Sequence, residues 1–311
     1  MDALGDLLRG IRANGAMVCR SIAAPPWALR FEITTPLTLV CGVTDDAWLI
    51  PDEGEPMLLR RGDVGLVREG VRFVLADDPA SKVGVVIRDE DECIGEVEMD
   101  GKHTWRFSNR PSGDANEMVM LTAAYQVRGD LSDRLLSALP EVFVITNPDE
   151  DCPTMELLAL ELGRDRPGQE IAIDRLLDLI LVLALRDWFD RPDSATPAWY
   201  VALGDPVVGP ALRALHDDPA RAWTVEGLAR HVGVSRAGFA RRFADLVGEP
   251  PLTYLTGWRM ALAADLLRRT DASVASVARQ VGYADSFAFS TAFKRVRGIR
   301  PSQHRTTRIA V

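Results

Sequence analysis

Hydrophobic and polar positions follow two different rhythms along these 311 residues. From about Trp27 to Tyr125, apolar residues fall in short alternating runs broken by Gly, Pro and Asp every 8–12 residues: LRFEITT, PLTLVCGV, DAWLI, MLLRRGDVGLV, RFVLAD, KVGVVI, HTWRF and MVMLTAAYQV. Alternation at period two predicts half-buried strands, and a series of them at this spacing predicts a small β-sandwich or barrel. Ahead of them, Leu4, Leu7, Leu8 and Ile11 predict a short amphipathic helix. Beyond Tyr125 the spacing becomes helical. LSDRLLSAL and TMELLALELGR are short amphipathic pieces, and EIAIDRLLDLILVLALRDWFD is apolar on nearly every side from Leu176 to Leu185. A helix apolar all round has to be covered. Either the barrel supplies the cover, or a second copy of the chain does, and the second copy is the preferred expectation. RPDSATPAWYVALGDP, residues 191–206, with three prolines and small polar residues, predicts a linker.

The last third of the chain repeats itself. Val225, Ala229, Arg230, Val232 and Gly233 match Val274, Ala278, Arg279, Val281 and Gly282 at an offset of 49. After one inserted residue, Phe239, Phe243, Gly248 and Pro251 match Phe289, Phe293, Gly298 and Pro301 at an offset of 50. Nine identities with a single slip mark a duplicated structural unit. Each copy reads as a short helix, a glycine able to take positive φ, a side-chain cap (Ser235 or Asp285) and a second helix with phenylalanines four apart. That is the layout of a helix-turn-helix, whose second helix enters the DNA major groove. Between the copies, Pro251 suits a helix first turn, and Tyr254, Leu255, Trp258, Leu262, Leu266 and Leu267 keep helical spacing up to Arg268 and Arg269. A rod of about 19 residues is ~28 Å long, close to the ~34 Å between successive major-groove faces.

Charge divides the chain at the same place. The whole is acidic at −9, which alone argues against nucleic acid. Residues 204–311, however, hold 16 Arg and Lys against nine Asp and Glu, whereas residues 1–203 hold 20 against 36. A basic part beside an acidic part is expected when only one of them meets phosphate. Fifteen of the 16 cations are arginine, Lys294 being the other, and arginine holds phosphate or guanine bidentately. The N-terminus lacks a basic stretch followed by an apolar core, and no window reaches 18 uninterrupted apolar residues, so a cytoplasmic protein without a membrane span is expected.

WTVEGLARHVGVSRAGFARRF, the linker residues RMALAADLL and the closing VGY…F…AFKRVRGIRPSQHR make residues 205–308 resemble the DNA-binding domain of the AraC/XylS family of bacterial transcription regulators. The segment LRRGDVGLVREGVRFVL, with Gly62-Asp63 at a turn, resembles the middle of the cupin barrel that many such regulators carry at their N-terminus. The resemblance implies an α+β chain of two domains: a cupin-like sensor barrel with its N-terminal helix over 1–125, a helical dimerisation region over 126–190, a linker over 191–206 and the tandem DNA-binding domain over 207–308. It implies double-stranded DNA as partner, a homodimer, an unidentified small-molecule effector, and no cofactor. By the family match, the first reading helix offers Ala237, Ala240 and Arg241 to base edges, and the second offers Ser286, Phe287, Ser290 and Thr291. Arg236, Arg242, Lys294 and Arg295 are expected on phosphates. Relatives usually carry larger polar groups at Ala237, Ala240 and Thr291 and a polar one at Phe287, so thymine-methyl contact and shape readout enter here.

Two rival functions remain. A cupin can be a metal enzyme, but the stretch that should carry paired histidines reads REGVRF, and His103 is the one histidine in the barrel region. One imidazole does not make a three- or four-ligand site, so no metal and no catalysis are expected. An organic effector pocket would draw on Trp27, Arg30, Phe31, Trp48, Arg72, Phe73 and Trp105, although taken one by one the rings are better explained as core. The other rival is a thiol sensor. Of four cysteines, Cys41 alternates in phase with Leu37 and Leu39, Cys93 sits among carboxylates, and Cys19 abuts Arg20, which favours its thiolate. Cys19 is therefore the candidate reactive thiol, but the second cysteine that such sensors carry in the last barrel strand is missing from EMVMLTAAYQV.

Overall fold

The structure is a computed structural model. It describes residues 5, 8, 11–13, 18–23, 25–42, 44–88, 92–96, 98–99, 104–107, 118–127, 129–147, 153–162, 164, 166–191 and 196–306. The chain folds into two units, one built from residues 11–127 and 140–194 and the other from residues 1–10, 128–139 and 195–311.

The first unit holds two sheets. One runs in the order β11(Glu98–Met99), β12(Thr104–Phe107), β2(Val18–Ala23), β13(Met118–Val127), β4(Leu37–Gly42), β7(Val64–Arg68), β14(Val142–Ile145), with β1(Ile11–Arg12) also on β13. The other runs β10(Cys93–Ile94), β9(Val85–Arg88), β3(Ala28–Glu32), β8(Phe73–Ala76), β5(Ala47–Pro51), β6(Met57–Leu59). All eight expected strand runs contain strands. The run MLLRRGDVGLV is two strands, because Gly62 takes a φ of 83° and Asp63 accepts from the Arg60 and Asn147 amides, at 2.9 and 2.8 Å. Trp27, Leu29, Phe31, Phe73, Leu75, Val85 and Ile87 pack into one apolar cluster, within which Phe31 and Phe73 stack with ring centres 4.7 Å apart.

Two expectations about this unit are corrected. Ile11, read as part of a helix, pairs with Val127 as a strand; Leu8, which belongs to the other unit, is helical and buried, while Leu4 and Leu7 lie outside the described residues. Strand β2 gave no alternating signal because Ser21, Ile22 and Ala23 are all buried, so both faces are covered. Within 126–190, expected to be helical, VFVI forms β14 and pairs with β7; its β-branched residues were the cue. The same unit contains α2(Pro153–Leu162) and α3(Gln169–Phe189), which pack on one another. Tyr125 donates its hydroxyl to the Leu177 carbonyl at 2.9 Å, and Phe143 meets Trp188 with ring centres 4.4 Å apart. Ile173, Leu177, Ile180, Leu181, Leu185 and Phe189 of α3 are buried, but Leu179 and Leu183 are 46% and 38% exposed.

The second unit is helical: α1(Asp130–Leu136), α4(Ala198–Leu203), α5(Val208–Asp217), α6(Val225–His231), α7(Arg236–Val247), α8(Pro251–Arg269), α9(Val274–Gln280), α10(Ser286–Arg297) and α11(Pro301–Thr306). The 126–190 region is thus shared, with 128–139 belonging here and 140–190 to the strands. The expected linker is also partly structured. Residues 192–195 lie outside the described residues, but α4 buries Trp199 and Ala202 and packs on α5 and α7.

Candidate nucleic-acid interface

Local chemistry builds each half of the interface in the same way. Thr224 caps α6, accepting from the Gly227 amide at 2.9 Å, and Gly233 turns the chain at a φ of 74°. Ser235 then accepts from the Gly238 amide at 3.2 Å, which starts α7. In the second copy Ser273 caps α9, Gly282 turns at a φ of 84°, and Asp285 accepts from the Phe287 and Ala288 amides at 3.1 and 2.8 Å. Those bonds hold the Asp285 carboxyl below its ordinary range. Phe239, Phe243, Phe289 and Phe293 are wholly buried, so the opposite faces of α7 and α10 look outward.

The outward faces carry the expected readers. On α7, Arg236, Ala237, Arg241 and Arg242 are exposed and Ala240 is half-buried. On α10, Ser286, Phe287, Thr291, Lys294 and Arg295 are exposed and Ser290 is half-buried. Phe287 is 79% exposed, an unusual state for a phenylalanine on a well-packed helix. A shallow groove brings Phe287, Ser290, Thr291, Lys294 and Arg295 together with Arg300 and Ser302 from the start of α11. Sequence reasoning missed these last two. The signal was the spacing of Arg300 and Gln303, whose side chain accepts from the Arg300 amide at 3.0 Å and so places Arg300 at a helix start.

Two expected contacts have other partners. Arg242 makes a bidentate pair with Asp205, its Nη2 lying 2.6 Å from the carboxylate. Asp205 also accepts from the Val207 and Val208 amides at the start of α5, so the pair ties α7 to α5. The guanidinium, with those amides, holds the Asp205 carboxyl down at about 2. Ser290 donates its hydroxyl to the Ser286 carbonyl at 2.8 Å, which leaves it an acceptor toward a base edge.

The two halves are joined through α8, the expected 19-residue rod starting at Pro251. Arg259 on this rod donates to the Pro219 carbonyl at 2.6 Å and the Arg221 carbonyl at 2.8 Å, just before the first half. Its guanidinium also lies 5.8 Å from the centre of the Tyr283 ring, in the turn of the second half. Gly282 has to be glycine here: a Cβ would stand 2.4 Å from the Ala220 carbonyl oxygen and 2.8 Å from the Arg259 guanidinium. Arg259 therefore fixes one half against the other.

Comparison with known proteins agrees with this layout. The cupin family model matches residues 2–190, and a helix-turn-helix domain model matches residues 228–307. An AraC-like transcription regulator of Streptomyces lividans is 31% identical over 313 residues, 98% of each chain. The chain belongs to the AraC family of transcription regulators. The regulator AlkR of Acinetobacter baylyi is 27% identical over 98% of this chain and 99% of its own. Among solved structures, the DNA-binding domain of AdpA, in complex with a target DNA, is 32% identical over 33% of this chain and 92% of that one, with a TM-score of 0.32.

The sensor side of this AraC-family protein is placed less compactly than expected. Trp27, Phe31 and Phe73 are buried in the apolar core of the strand unit. Arg30 pairs on the surface with Glu32 at 3.1 Å and Asp52 at 2.7 Å, Trp48 is half-buried, and Arg72 is exposed. The side chains of Trp105 and Cys19, and all of His103, lie outside the described residues. The backbone of Cys19 is on β2 and pairs with Thr122 on β13. Cys41 is buried, with its thiol 3.5 Å from the Met155 sulfur. Among the described residues no cluster of His, Cys, Asp and Glu could hold a metal ion, and no helix is long and apolar enough to cross a membrane.

Proposed function

We propose that the protein is a cytoplasmic regulator that reads two successive major-groove faces on one side of a duplex, α7 taking one and α10 the other. The observation that carries this is the pairing of two capped helix-turn-helix halves, outer faces free, on a rod locked by Arg259. Arg241 is the side chain able to hold a guanine edge bidentately, and Phe287 offers apolar contact to a thymine methyl. Ala237, Ala240, Ser286, Ser290 and Thr291 complete the reading faces, and Arg236, Lys294 and Arg295, joined by Arg300, hold phosphates and set register. Arg242, occupied by Asp205, serves as a brace for α7 more than as a phosphate ligand.

The strand unit is read as the sensor of an organic effector, and the pairing of chains as a property of α2 and α3. Leu157 and Leu160 on α2, and Leu179 and Leu183 on α3, keep 48, 56, 46 and 38% of their surface exposed. Their spacing of three and four puts each pair on one stripe of its helix. A second copy is the occupant that the apolar chemistry of both stripes suits. The test of the whole reading is selection of genomic fragments by the purified full-length chain. Enrichment of a motif with two short elements about 10 base pairs apart is expected. Fragments bound without any shared motif, at ordinary salt, would refute it.

A further inference from the structure

The helical unit contains a piece of chain that none of its DNA-reading parts requires. Helix α1 follows strand β13, with only Arg128 and Gly129 between Val127 and Asp130, yet it packs on α8. Its first residue, Asp130, is buried and meets two arginines: Arg268 at the end of α8, at 3.0 Å, and Arg297 at the end of α10, at 2.5 Å. Asp265 of α8 closes the arrangement from below, accepting from the Asp130 amide at 2.7 Å and also from the Leu131 amide. Gly129 is fitted to the same carboxylate. It has a φ of 108°, and a Cβ there would stand 2.6 Å from an Asp265 oxygen. Such fitting is more than a chance contact between a loop and a helix.

We propose that residues 129–136 are a latch on the DNA-binding unit, with Asp130 as its pin, holding that unit in a state of reduced affinity for DNA. Arg297 is on the same helix as the groove cations Lys294 and Arg295. A buried carboxylate between Arg297 and Arg268 cancels positive charge within about a screening length of where phosphate arrives. The latch also fixes the end of the second reading helix against the rod. In sequence the latch is joined to β13 by Arg128 and Gly129 alone.

This rests on the DNA-reading proposal above, and the experiment separates the two. Affinity of full-length wild type, Asp130→Asn and Gly129→Ala would be measured on one fragment enriched in the genomic selection. Asp130→Asn removes the pin; Gly129→Ala displaces the helix by crowding Asp265 while removing no charge. Both are expected to bind at least about fivefold tighter than wild type, the lower end of ordinary coupling between sites. Coupling is reciprocal, so hydrogen exchange of amides 130–136 in wild type should quicken on adding the fragment. That measurement needs no variant, and so survives a failure of either to fold. Unchanged or weaker binding by the folded variants, or equal exchange with and without DNA, overturns the latch while leaving the DNA reading intact. Absence of any selected fragment for wild type overturns the reading itself.

Discussion

Phe287 and Phe289 stand two positions apart on one helix, the first 79% exposed and the second wholly buried. Phe289→Ala should cost about 3–5 kcal/mol of stability by opening a cavity against Phe293 and Tyr283. Phe287→Ala should leave the denaturation midpoint within about 0.5 kcal/mol of wild type, while weakening selection for T at one position. A chemical-denaturation curve beside a randomised-site selection checks both. On the first helix, Arg241→Ala should relax the preference at a single base by about 1–3 kcal/mol, and an unchanged motif would show that Arg241 does not read. Spacing made the inward phenylalanines legible in the sequence, because residues four apart share a face whatever the rest of the chain does. The partner of Arg242 was not legible. Asp205 lies 37 residues away, and no local pattern links two such positions. The place of Ser290 on the outer face suggests a base contact, but no sequence pattern reports that its hydroxyl turns back to the Ser286 carbonyl.

At the scale of elements, caps and glycines were the reliable signals: Ser235 and Asp285 accept the amides expected of them, and Pro251 opens the rod. What the sequence hid is how elements are braced. Arg259 bridges two stretches about 40 and 24 residues away along the chain, a relation that no periodicity reports. Loss of this brace should be visible as lost spacing discrimination. Arg259→Ala is expected to bind a target whose two elements are moved apart by one base pair nearly as well as the native spacing, which wild type rejects. The docking of α1 carries its own pH dependence. Burial first, and then the neighbouring Asp130 charge, push the Asp265 carboxyl from 3.8 up to about 6, against the opposing pull of two amides and Arg268. An acid held above its ordinary value contributes stability below that ordinary value, and the contribution fades as pH rises through about 6. His304, which feels the same Arg268, Asp130 and Arg297 charges, is lowered by burial first and works in the other direction, losing stability as pH falls. The informative quantity is therefore the difference between wild type and Asp265→Asn. From pH 4 to pH 6 the wild-type melting temperature should fall relative to that of the variant.

For the molecule as a whole, the division of charge anticipated the division of labour: the arginine-rich third is the part that matches the helix-turn-helix model. The boundaries were harder. An apolar stripe in LSDRLLSAL shows that a helix needs cover but not what covers it, and α1 is covered by the unit that follows it far later in the chain. The apolar residues left uncovered on α2 and α3 give the test of assembly. Leu160→Glu with Leu183→Glu should halve the mass measured by sedimentation equilibrium without altering the fold, whereas an unchanged mass would place the contact elsewhere.

The duplicated halves are alike but not identical, and they follow one another head to tail along a single rod. A reader of that kind has a front and a back. Its target is a direction as well as an address, so inverting the site in place would turn the sensor half to face the opposite way along the DNA. A promoter controlled by this protein should therefore respond to the orientation of the site, even where every base of it is kept.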